Sequence, residues 1–126
     1  MTHKVIVTVL VSLLSGGIQT SHPHRTIRIK VTFDYDFRLT PACSPKVTQG
    51  CVQQFNLYEV SLGISRRAKL LSIPVPADAT GVVKGISATT EPFLFDTGRH
   101  RLAVSAQMPN GLESDLSKCT TIFKVR

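Results

Sequence analysis

Tryptophan is absent from the 126 residues, tyrosine occurs twice, cysteine three times, and Asp and Glu together number only 8. Each scarcity excludes something. With no Trp, and with the six phenylalanines mostly on apolar phases, the chain offers no aromatic platform on which bases would stack. The cysteines form no C-x₂₋₄-C pair and the histidines do not cluster with them, so a zinc site is not expected. The few carboxylates show no paired arrangement for acid–base work, and no serine sits in a G-x-S-x-G elbow. Gly16-Gly17 precedes no strand-to-helix pattern, so no phosphate loop is present. No cofactor and no metal are expected. No segment sustains a 3.6-residue period, and the longest apolar stretch, Val5 to Leu14, rises only about 15 Å as a helix. A membrane span is not expected.

What is abundant is basic charge: 15 Lys and Arg give a net charge of +7, with a pI near 9.8. The excess is scattered. Arg66-Arg67-Ala68-Lys69 is the densest run, Arg99 and Arg101 lie near one turn, and Arg28, Lys30 and Arg38 share the polar phase of one segment. Solvated strand faces account for it, with weak attraction to an anionic surface, glycan or polymer as the other reading. Apolar residues at 42% and a mean hydropathy of +0.11 describe one folded domain.

The start of the chain reads in two ways. Met1-Thr2-His3-Lys4 is basic, Val5 to Leu14 is apolar apart from Thr8 and Ser12, and Ser15-Gly16-Gly17 is small. Those are the parts of a secretory signal, with cleavage expected after Gly17 or as late as Ser21. Residues 1–21 are therefore assigned to a leader and short tail, and 22–126 to the domain. The other reading is a β-strand, since Val-Ile-Val-Thr-Val-Leu-Val is rich in β-branched residues. The leader is preferred, and with it a secreted or periplasmic location.

From Ile27 the pattern is period two. Ile27, Ile29, Val31, Phe33, Tyr35 and Phe37 alternate with Arg28, Lys30, Thr32, Asp34, Asp36 and Arg38, which describes a long strand with one buried face. Further strands are expected over Cys51–Leu62, Ala68–Val75, Gly81–Ala88 (interrupted by Gly85), Pro92–Phe95, Arg99–Gln107 and Lys118–Val125. Tyr58 and Val60 oppose the phase of Phe55 and Leu57, so both faces of that strand should be partly covered. Asp96-Thr97-Gly98 and Pro109-Asn110-Gly111 are turns. The sum is an all-β, antiparallel β-sandwich of about seven strands or one fewer.

His100-Arg101-Leu102-Ala103-Val104-Ser105-Ala106, followed by Asn110-Gly111-Leu112-Glu113-Ser114 and Ser117, resembles the last two strands of a fibronectin type III domain. Phe55-Asn56-Leu57-Tyr58-Glu59 resembles its third strand, and Ile27–Phe37 stands where the second belongs. The family's second-strand Trp is missing, with Phe33 or Tyr35 nearest, and His100 replaces its corner tyrosine. The resemblance implies a fibronectin type III or immunoglobulin-like sandwich that serves adhesion, spacing or recognition rather than catalysis. Its loops Cys43–Cys51 and Met108–Leu116 should meet at one end, with Thr48, Gln49, Asn110, Leu112 and Glu113 as binding-loop candidates. With the leader removed, the edge beside Ile27 could also take a strand from another chain, a second copy included.

Cys43 and Cys51 close a short loop and form the preferred disulfide, at about 2–3 kcal/mol of loop entropy. Under the fibronectin-like order, Cys43–Cys119 is the alternative. The leftover thiol shares the phase of Phe123 and Val125 and reads as a small buried hydrophobe. Asp96-Thr97-Gly98 resembles the tripeptide of aspartic proteases, but it stands alone near the chain's end and reads as a turn. His22 could join a copper or nickel site at a new N-terminus only if cleavage left it third. The preferred function is an exported, non-catalytic recognition or structural module with a protein or extracellular polymer as partner. The alternatives are a small enzyme or ligand-binding β-protein using His100 and Asp96, and a cytosolic basic protein associated with nucleic acid.

Overall fold

The computed structural model describes residues 7–13, 24–61, 63, 66–96, 98–114 and 122–125, with 7–13, 24–26, 93–96, 98 and 122–125 described by backbone alone. These residues form eight strands and no α-helix: β1 (Val7–Leu13), β2 (His24–Asp36), β3 (Gln54–Glu59), β4 (Ala68–Pro74), β5 (Val82–Thr89), β6 (Phe93–Asp96), β7 (Gly98–Gln107) and β8 (Ile122–Val125). Two antiparallel sheets result. The first runs β1-β2-β5, with β6 also on β2, and the second runs β4-β3-β7-β8. The all-β sandwich expected from alternation is the observed architecture.

β2 organises the first sheet. Ile27, Ile29, Val31, Phe33, Tyr35 and Phe37 are all buried while Arg28 and Lys30 are exposed, as period two requires. Facing them from the second sheet are Phe55, Leu57, Ile73, Leu102, Val104 and Ala106. Phe55 is central: its ring lies 4.9 Å from Phe33, 5.0 Å from Tyr35 and 6.2 Å from Phe37, all edge-to-face. Aromatic mass from two strands thus fills the space between the sheets without tryptophan.

Two details of β2 explain why short neighbours suffice. Its partner changes from β5, with Lys30 opposite Thr89, to β6, with Ile27 opposite Phe93. In the gap, the Ile29 N–H donates to Thr90 Oγ1 at 3.0 Å and Thr90 N–H donates to the Ile29 carbonyl at 2.9 Å. Thr90→Val keeps the shape and deletes the acceptor at a buried N–H, so a loss of about 1–3 kcal/mol in urea unfolding is expected. A variant as stable as the parent would contradict this role. The second detail is Gly85, expected to interrupt its strand. It adopts φ of +72° at a bulge between Phe33 and Tyr35, its N–H donates to Asp34 Oδ1, and β5 continues through it.

β3 is shorter than Cys51–Leu62, because Cys51 to Gln53 are occupied otherwise. Cys51 is tied to Cys43, and Val52 exchanges backbone hydrogen bonds with Pro41 and Cys43. The outer face of β3 is covered as well, with Asn56, Tyr58 and Val60 buried. The expected last strand starts at Ile122 among the described residues, and Lys118 to Thr121 lie outside them.

Val7–Leu13 is β1, in antiparallel register with Phe33–Ile27. The Val7, Val9, Val11 and Leu13 phase falls opposite Phe33, Val31, Ile29 and Ile27, the buried phase of β2. The segment expected as a leader is therefore a strand in the full-length chain, and cleavage between Gly17 and Ser21 would remove it.

Candidate functional site

Antiparallel strands bring distant loops to one end. The ends of β2 and β7 and the starts of β3 and β5 meet there, so the loop carrying Cys43 and Cys51 lies beside the hairpin after β7. Gln53 N–H donates to the Gln107 carbonyl at 2.8 Å and ties the two together. Thr48, Gln49, Gly50, Met108, Pro109 and Asn110 line a cleft of about 540 Å³ between them. Every lining side chain is uncharged. Leu39, Val47, Val82 and Leu112 are the exposed large apolar residues among those described, and all four belong to this same end.

Each wall is held by its own local chemistry. The Cys43–Cys51 disulfide closes the first loop, with Cα atoms 4.9 Å apart. Within it, Ser44 and Val47 exchange two backbone hydrogen bonds. In the second, Gly111 takes φ of +87° and its N–H donates to the Met108 carbonyl, while Asn110 Oδ1 accepts from the Leu112 N–H. That is the turn chemistry expected of Pro-Asn-Gly.

Behind the hairpin lies a carboxylate that anchors it. Glu113 returns alongside β7, opposite Gln107, and rests on the outer face of the second sheet. Its Oε1 accepts from Tyr58 and Ser105 hydroxyls at 2.6 Å each and from Asn56 Nδ2 at 2.8 Å. Its Oε2 faces Arg67 at 3.4 Å, and that guanidinium lies 4.8 Å over the Tyr58 ring. Burial pushes the Glu113 carboxyl up, but the Ser105, Tyr58 and Asn56 hydrogen bonds and the Arg67 charge outweigh it, holding it below the ordinary carboxylate value. Burial, with donation to Glu113, raises the Tyr58 phenol. Asn56, fully buried, also donates to Gln107 Oε1 and accepts from Gln54 Nε2, so its amide is satisfied.

Of the binding-loop candidates, Thr48, Gln49 and Asn110 share the cleft, Leu112 is 67% exposed at the hairpin tip, and Glu113 lies behind the hairpin, hydrogen-bonded to Asn56, Tyr58 and Ser105. Met108, Pro109 and Gly50 complete the lining. Their signal was local, since they flank the turn and the second cysteine. Asn56 and Ser105 could not be found that way, because only cross-strand register places them under Glu113.

The residues of the catalytic alternative are arranged differently. His100 is buried on the inward phase of β7 in the second sheet. Asp96 ends β6 in the first sheet, opposite His24, and β7 of the second sheet begins at Gly98. Cys119 and His22 lie outside the described residues. Among the described residues, no three of His, Cys, Asp and Glu group as metal ligands, and no helix is long and apolar enough to cross a membrane. No family model, curated protein or solved structure matches the chain.

Proposed function

We propose that the protein is an exported, non-catalytic recognition module, a fibronectin type III-like sandwich that engages its partner at the cleft end. The carrying observation is the convergence of two loops, nearly sixty residues apart in sequence, on one cleft with uncharged lining, at the end that also carries the exposed large apolar side chains among the described residues. Strand order supports the family reading. The fourth strand pairs with the third, whereas immunoglobulin constant domains place it on the other sheet. The disulfide favours an oxidising compartment, hence export.

Photo-crosslinking tests the cleft. A photoreactive residue at Gln49 or Leu112, exposed to the extracellular fraction of the producing cells, should give a discrete adduct, and one at Ser87 on the first sheet should give none. Equal labelling from all three positions would overturn the reading, as would none from any.

Export would also uncover the Ile27–Phe33 edge of β2 by removing β1. Antiparallel self-pairing centred on Val31 sets Arg28 of one copy opposite Asp34 of the other, and Ile29 opposite Phe33, so unlike charges meet across the new edge. The processed chain should therefore dimerise with rising concentration in sedimentation equilibrium. A strict monomer at high concentration would sink this part of the proposal.

A second reading has its own support: β1 is in register with the buried phase of β2. If retained, it completes the first sheet, and the protein remains inside the cell.

A further inference from the structure

The two densest basic stretches, Arg66 to Lys69 and Arg99 to Arg101, are about thirty residues apart in sequence. The fold joins them. Only β3 separates β4 from β7, so the two stretches lie about 10 Å apart across the sheet. Register sets Lys69 against Tyr58 and Tyr58 against Ala103, and the Val60 N–H donates to the Arg101 carbonyl. On β7, His100 and Leu102 are buried, while Arg99 and Arg101 are exposed on the other phase, about 7 Å from each other. Arg66, Arg67 and Lys69 are exposed too.

This half of the second sheet's outer face is thus a cationic surface, at the end of the sandwich away from the cleft. Arg67 is held by Glu113, but Arg66, Lys69, Arg99 and Arg101 pair with no carboxylate among the described residues. The nearby Glu59 carboxylate accepts from the Ser61 N–H. Several cations with no carboxylate partner among the described residues, three of them on strands, attract a linear polyanion through many weak contacts, at no cost in breaking described ion pairs.

We propose that this surface binds an acidic polysaccharide. The class follows from what surrounds the cations. Tyr58, the aromatic beside them, is 7% exposed and lies under Arg67, so among the described side chains no ring at this surface is free to stack on a base. Among the described residues the exposed large apolar side chains are all at the opposite end, so none of them offers a lipid surface an apolar anchor here. The disulfide is compatible with an oxidising compartment, where extracellular polymers are met. The choice of polymer rests on the exported reading, whereas the surface itself is independent of the cleft. The protein would then be two-ended, held to a matrix by one end and free to recognise a partner with the other.

Titration of the full chain with heparin, a sulfated polysaccharide, tests the surface. Arg99→Glu with Arg101→Glu should weaken binding at least tenfold at low salt. Lys46→Glu with Lys84→Glu, which makes the same change in net charge at the cleft end, should change it less than twofold. Arg66→Gln with Lys69→Gln, acting from the start of β4 and the residues before it and carrying the test if the first pair does not fold, should weaken binding at least threefold. It should also lower the salt slope of log K by roughly 1–2, one counterion step per lost contact. Equal weakening by the two charge-reversed pairs would reduce the effect to net charge and overturn the proposal. So would absence of heparin binding at low salt, or tighter binding of single-stranded oligothymidylate or of anionic vesicles than of heparin. Failure of the cleft crosslinks would leave these outcomes unchanged, so the two readings fail separately.

Discussion

Phe55→Ala is expected to cost about 3–5 kcal/mol, the range for emptying a packed phenylalanine site. For a domain of this size, that is a drop on the order of 10–20 °C in Tm. The reason is the position of the ring. Phe55 is fully buried and meets Phe33, Tyr35 and Phe37 edge-to-face, so it carries contact between the sheets as well as apolar area. The site cannot easily collapse, because Phe33 and Tyr35 sit on the long β2 strand, which is pinned by β5 and β6. Urea denaturation measures it. A loss below about 1 kcal/mol would mean that the sheets do not close over this ring.

The second large effect is at Glu113, where Glu113→Ala should cost about 2–4 kcal/mol near neutral pH. Truncation leaves the Asn56 amide, Tyr58 hydroxyl and Ser105 hydroxyl without their shared acceptor, and Asn56 and Ser105 are almost wholly buried. Its acid dependence gives a second check. The folded carboxyl lies below its ordinary value of 4.5, so its contribution is complete above that value and is lost as the pH falls through the folded one. Glu113→Gln keeps an acceptor oxygen and loses the charge. It should therefore be less stable than the parent at pH 7, with the gap closing as the solution is acidified below 4.5. A gap independent of pH would show that the charge is not what holds the hairpin.

The two effects differ in how far sequence could foresee them. The inward face of β2 was legible because every second residue from Ile27 to Phe37 is apolar and the intervening ones are polar, a pattern that only a half-buried strand satisfies. Tyr58 and Val60 announced a covered outer face on β3, but not what covers it. Glu113 comes from more than fifty residues away, and its partners are fixed by cross-strand register rather than by local spacing. The basic surface was invisible for the same reason, since its two halves are joined only by the sheet. Gly85 misled in the opposite direction, because a glycine that breaks alternation also marks a bulge through which a strand continues. At Val7–Leu13 the difficulty is chemical. An export signal and an edge strand over a buried face call for the same alternating or continuous apolar residues, and sequence holds both readings at once.

The intact mass of protein made in an export-competent host, before and after reduction and thiol alkylation, tests the exported-module account most directly. The account predicts a chain that begins between Ile18 and His22, with Cys43 and Cys51 blocked until reduction and Cys119 alkylated without it. A full-length mass with three free thiols would contradict it, keep β1 in place permanently, and move the search for a partner into the cell.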